Sequence, residues 1–254
     1  MFNPGGHTEL FKGLFIRLVV HKFVLSLNTN DGSTAVRTLQ KLLEQRCKLL
    51  FWALIVLLTA LPFLGETTHG HTLMVFVNVV VLLAAVAAVG RTRLALLISA
   101  ILVLPSLIFR LLALRSGEPE HFAIAYGSNA IFYLYILVNL MQYVFRQDSI
   151  SQDKLYGAVA AYILIALFWA QLHGLTQYFY PGAYTLAGEP RFLNIADLIY
   201  FSFTALTTAG FGDIAPAVIQ SRYLTVLEMV VGVMFVAILI ARLTGVYPIA
   251  EKKL

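Results

Sequence analysis

Cysteine is almost missing from this chain. Cys47 is the only one, so no intrachain disulfide can form and no cysteine-based metal site can be built. Charge is scarce as well, at 12% of residues against about a quarter in a soluble domain. The first twenty residues lack a charged start, an apolar stretch and a small-residue cleavage site in succession, so no signal peptide is expected. Metal-ligand spacing is absent too. His7, His21, His69, His71, His121 and His173 are dispersed over different segments with no His-Glu pairing at metal-site spacing, and nothing in them supports an enzyme.

What the chain has in plenty is apolar residues, 59% of its 254. Runs long enough to cross a hydrocarbon core of about 30 Å recur along it, which predicts an all-α polytopic membrane protein in a lipid bilayer. Six spans are read at residues 49–64, 72–89, 94–109 (with Pro105 expected to bend it), 122–145, 155–175 and 223–241. Residues 1–48 are interrupted too often by charge to cross. Within them, 8–27 reads as a basic amphipathic helix in the interface, 28–33 as a turn, and 34–48 as a helix leading into the membrane. A segment at 194–205 is apolar but short, since twelve helical residues cover only about 18 Å. It is expected to enter the membrane and return.

Basic residues test this topology. With the amino terminus in the cytoplasm, fourteen of the eighteen Lys and Arg fall inside, and only Arg110, Arg115, Arg191 and Arg222 fall outside. That bias follows the positive-inside rule, places both termini in the cytoplasm, and puts the short segment at the outer face. It also accounts for the net charge of +5 without a nucleic-acid partner.

Directly after the short segment comes Thr204-Ala205-Leu206-Thr207-Thr208-Ala209-Gly210-Phe211-Gly212-Asp213. Two threonines, two glycines one residue apart and an aspartate, set between apolar spans, resemble the pore loop of potassium channels. The resemblance is specific over about residues 154–243, and the chain is most similar to small bacterial potassium channel family proteins. The first four spans match them only in number and hydrophobicity. The resemblance implies a homotetramer in the bacterial inner membrane, with K⁺ as permeant ion and no other cofactor. Potassium sheds its water only where oxygens replace it, and rings of backbone carbonyls do so. By the resemblance these come from Thr208, Ala209, Gly210 and Phe211, and the Thr208 hydroxyl closes the innermost site. Aiming successive carbonyls at one axis needs backbone that alternates into the left-handed region, where Gly210 and Gly212 carry no steric penalty.

The resemblance also assigns supporting roles. Tyr200, thirteen residues before Asp213, is expected to brace that carboxylate, with Phe201 as the second aromatic of the cuff around the filter. Phe211 lacks the usual hydroxyl, and Ala205 stands where the family has threonine, which bears on the rigidity of the filter. Gly232 matches an inner-helix hinge, with close helix packing as its alternative. Val236 and Ile240, at one-turn steps below it, would form a hydrophobic gate. Glu228 is a carboxylate inside a span, a costly placement that demands a partner, and Thr204 or Thr207 are the partners expected.

Six spans with a pore before the last also resemble voltage-gated channels, but residues 122–145 contain no Arg or Lys to sense voltage. Ser128, Tyr135, Asn139 and Gln142 form a polar stripe there instead, expected to hydrogen-bond neighbouring helices. The domain reading is an amino-terminal segment at 1–48, a four-helix unit at 49–146, a pore domain at 154–243 and a short tail at 244–254. A nonselective cation channel and a non-conducting scaffold are the alternative functions.

Overall fold

The computed structural model describes residues 46–64, 84–86, 93–116, 119–146 and 151–246. By its internal contacts the chain divides into two compact units, Met1–Gln45 and Arg46–Leu254. The expected interfacial helix, its turn, nearly all of the second span and most of the tail lie outside the described residues.

Helix α1 covers Arg46–Leu64, α2 Arg93–Ser116, α3 Pro119–Val144, α4 Gln152–Phe179, α5 Ile195–Leu206 and α6 Ile219–Val246. Each coincides with an apolar run read from the sequence, because continuous Leu, Ile, Val, Ala and Phe favour helix when backbone groups must be satisfied internally. Residues 120–144, 152–179 and 219–242 are long and apolar enough to cross a membrane, and α5, at 12 residues, is not. Pro105 lies inside α2, which continues on both sides of it.

The core is the seam of α3 and α4. Ala158, Ala160, Ala161, Ala166 and Ala170 line α4 and are buried, so neighbouring backbones approach closely. Gly174 fits the same logic, because a Cβ there would stand 2.8 Å from the Tyr126 ring. At one end of this seam, Asp153 accepts from the first backbone N–H groups of α1, Cys47 at 3.1 Å and Lys48 at 3.3 Å, and from the Tyr143 hydroxyl at 3.0 Å. A carboxylate at a helix N-terminus meets the positive end of the helix dipole, so this contact fastens α1 to α4. Near the same end, the Arg242 guanidinium of α6 donates to the Arg146 carbonyl, just past α3, at 2.6 Å and lies 5.1 Å from the Phe145 ring centroid. Lys154 donates to the same carbonyl at 3.2 Å.

An all-α reading needs one amendment. The segments flanking α5 form a small antiparallel sheet, β1 (Tyr184–Leu186), β2 (Glu189–Pro190) and β3 (Ile214–Pro216), in the order β2-β1-β3. Its hairpin turns on Ala187 and Gly188, both at positive φ, the two-residue geometry that suits the twist of paired strands. Strands this short leave no periodic pattern in a sequence. The stripe on α3 is a correction as well. Ser128 donates to the Ile124 carbonyl and Asn139 to the Tyr135 carbonyl, both within the helix, so among the described residues these two groups are satisfied locally and not across helices.

Candidate pore site

Helix α5 begins with a capping box. The Asn194 side chain accepts from Ala196 N at 2.8 Å and Asp197 N at 3.0 Å, and the Asp197 carboxylate accepts from Asn194 N. The lead-in is held by Gln177 of α4, whose amide donates to the Leu193 carbonyl and accepts from the Leu193 N–H, both at 2.9 Å. Leu198, Ile199, Phe201, Ser202, Ala205 and Leu206 then face inward and bury α5 between α4 and α6.

At Thr207 the helix stops and the chain turns into an irregular loop. Thr208 N–H donates to the Ala205 carbonyl (2.9 Å) and Gly210 N–H to the Thr204 carbonyl (3.2 Å), so the loop starts by wrapping the end of its own helix. Backbone φ is +57° at Thr208, +51° at Gly210 and +81° at Gly212, whereas Ala209 and Phe211 keep negative values. Left-handed backbone costs a non-glycine residue about 1–2 kcal/mol, so Thr208 stores strain that its two glycine counterparts avoid. Thr207 through Asp213 are all exposed in the single chain. From Ile214 the chain enters β3, and Ala187 N–H donates to the Asp213 carbonyl at 2.8 Å, which ties the end of the loop to the hairpin.

The aromatic neighbours fall where the spacing put them, in part. Tyr200 stacks on Phe211, with ring centroids 6.5 Å apart and planes within 10°. The Asp213 carboxylate, acting on the Tyr200 hydroxyl, holds the phenol above its ordinary pKa of 10.0. Phe201 points away from the loop. It is buried edge-on against His173 (5.0 Å) and Tyr184 (5.3 Å).

Glu228 is fully buried, and its partners differ from those expected. Thr204 and Thr207 donate to carbonyls of α5 itself, those of Phe201 and Phe203. The carboxyl group instead meets His173 Nε2 of α4 at 2.7 Å through Oε2 and Ser202 of α5 through Oε1. Ser202 Oγ also reaches the Ala166 carbonyl (2.7 Å), and His173 Nδ1 lies 2.6 Å from the Tyr184 hydroxyl. Burial drives the Tyr184 phenol far above its ordinary pKa, so this tyrosine keeps its proton. His173, Tyr184 and Ser202 were not read as site residues. The missed signal is depth: His173 lies six residues from the end of α4 and Glu228 nine from the start of α6, so two ionisable groups share one level of an apolar bundle.

Gly232, one turn after Glu228, sits where a Cβ would collide with the Leu206 carbonyl at the end of α5. Close packing is therefore the visible reason for this glycine. Val236 and Ile240 are exposed on α6, together with Val230, Val233 and Met234. No group of three or more metal-ligating side chains occurs among the described residues; the oxygens that the loop carries are its backbone carbonyls, the hydroxyls of Thr207 and Thr208 and the Asp213 carboxylate.

Residues 159–247, about a third of the chain, match the model of the family described as ion channel. No curated protein matches the chain, and no solved structure does. From the first half of α4 to the end of α6, this membrane protein is similar to the pore-loop family of ion channels.

Proposed function

We propose that this chain forms a homotetrameric, potassium-selective channel that conducts passively and carries no charged voltage sensor. The observation that carries the reading is the alternation of φ along the loop. Residues 208, 210 and 212 are left-handed and 209 and 211 are not, the pattern that lets successive carbonyls turn toward one line. The carbonyls of Thr208, Ala209, Gly210 and Phe211 are assigned to K⁺, four sets around a common axis, with Gly212 ending the filter. One loop per chain cannot close a ring, and the exposure of Thr207–Asp213 in the single chain favours lining by further copies.

In this reading α5 is a re-entrant pore helix among six spans, and Asp213, Tyr200, Phe201, Thr207 and Glu228 support the filter. Gly232 lets the inner helix close on it, and Val236 and Ile240 form the gate. The functional units are residues 1–48, 49–146, 154–243 and 244–254, with both termini in the cytoplasm of a bacterium and the filter at the outer face of its inner membrane.

Ion flux into liposomes tests the proposal, using purified full-length protein and comparing potassium, rubidium and sodium. Potassium and rubidium are expected to enter and sodium to be excluded. Equal entry of sodium would replace selectivity with a nonselective cation pore, and absence of flux would leave a scaffold.

A further inference from the structure

Four side chains and one backbone carbonyl meet behind the loop, and the placing of their hydrogens favours one arrangement. The Ala166 carbonyl only accepts, so Ser202 gives its single hydroxyl hydrogen to it across 2.7 Å. The serine oxygen is then the acceptor in its contact with Glu228 Oε1. An ionised carboxylate has no hydrogen to give. Oε2 of the same group accepts from His173 Nε2 (2.7 Å), which leaves Nδ1 bare to accept from the Tyr184 hydroxyl at 2.6 Å.

We infer that Glu228 is a neutral carboxylic acid in a one-way chain of hydrogen bonds, from Tyr184 to His173 to Glu228 to Ser202 to the Ala166 carbonyl. This chain is the joint that fixes α6 and α4 against α5, and through α5 it positions Thr207–Gly212. His173, Glu228 and Ser202 are thus positioning residues for conduction and touch no ion themselves.

The opposite assignment, a carboxylate beside an imidazolium, holds the same number of protons but spends them badly. It turns the Ser202 hydrogen toward Glu228 and leaves two oxygens, Ser202 Oγ and the Ala166 carbonyl, facing each other at 2.7 Å with nothing between them. It also places two full charges on side chains with no exposure at all, at the depth of the hydrocarbon. Desolvation of such a pair costs several kcal/mol per ion. In the neutral chain each contact holds one hydrogen and neither side chain is charged.

Glutamine reproduces the neutral acid: its carbonyl accepts from His173 and its amide donates to Ser202. The test therefore compares the full chain with Glu228→Gln and Glu228→Ala in liposomes, by infrared spectroscopy and by rubidium uptake per protein. The carbonyl stretch of a protonated carboxylic acid is expected at neutral pH in the parent chain and absent from Glu228→Gln. Glu228→Ala is expected to lose about tenfold in uptake, and Glu228→Gln to restore most of that loss. Should Glu228→Ala fail to reach the membrane, Ser202→Ala replaces it, with a smaller expected loss. A difference spectrum showing only ionised carboxylate, or a Glu228→Gln chain no better than Glu228→Ala, overturns the inference. The flux arm rests on the channel reading above. If the parent chain takes up no rubidium, that reading fails, while the infrared band still decides the state of Glu228.

Discussion

Tyr200 of α5 is influenced by Asp213, thirteen positions on, and the interaction has a measurable sign. The Asp213 carboxylate favours the protonated phenol over a phenolate, so Tyr200 ionises above its ordinary 10.0. The contact therefore adds to loop stability below pH 10 and is lost as pH rises through the elevated value. Asp213→Asn removes the charge, and the Tyr200 pKa is expected to fall back toward 10.0. Phenolate absorbance titrations of both backgrounds, each minus its Tyr200→Phe counterpart, would read this; identical titrations would refute the interaction. The nearness of Tyr200 to Asp213 was expected only through the family resemblance, which sets the two thirteen positions apart. The partner of Glu228 was not legible. Proximity along the chain pointed to Thr204 and Thr207, yet serine and threonine in a helix readily satisfy themselves on carbonyls a turn back, and both do. The group left seeking a partner at that depth was His173, fifty-five residues away.

The elements tell a similar story about distance. Helices α1 to α6 were legible because a twenty-residue apolar run has few other fates in a bilayer, and the φ > 0 demand of Gly210 and Gly212 was legible from composition. The sheet was not, since its strands are two or three residues long and β1 and β3 pair across a gap that contains the whole of α5. What positions α5 is also non-local. Gln177 satisfies both backbone groups of Leu193, which is fully buried, and so pins the entrance of the pore helix to α4. Gln177→Ala leaves a buried donor and a buried acceptor orphaned, at about 1–3 kcal/mol each. Thermal unfolding should occur several degrees lower, and proteolysis between 180 and 194 should quicken. An unchanged melting temperature would mean that water replaces the glutamine at no cost.

For the molecule as a whole, the telling feature is how little of α6 is covered. One side packs on α4 and α5 through Ser221, Thr225, Glu228, Gly232 and Phe235, while Val226, Val230, Val233, Val236 and Ile240 are exposed. In the proposed tetramer the lower part of this face meets other copies near the axis. Ile240→Cys is then expected to form disulfide-linked dimers on oxidation, read on a non-reducing gel. The background is silent because the single native cysteine, Cys47, is buried. Monomer alone, from a chain whose new thiol reacts freely with maleimide, would count against convergence of the inner helices.

The bond from Arg242 to the Arg146 carbonyl joins the far end of that same helix to the connection after α3. Any movement of α6 away from the connection has to break it, so the contact favours the arrangement seen here over one in which α6 has moved away. The contact is exposed, where such interactions contribute about 0.2–1 kcal/mol. At that size one chain can shift the ratio of arrangements by about fivefold at most. Were four copies to move together, the contributions would multiply: a trim in one subunit becomes a threshold for the assembly.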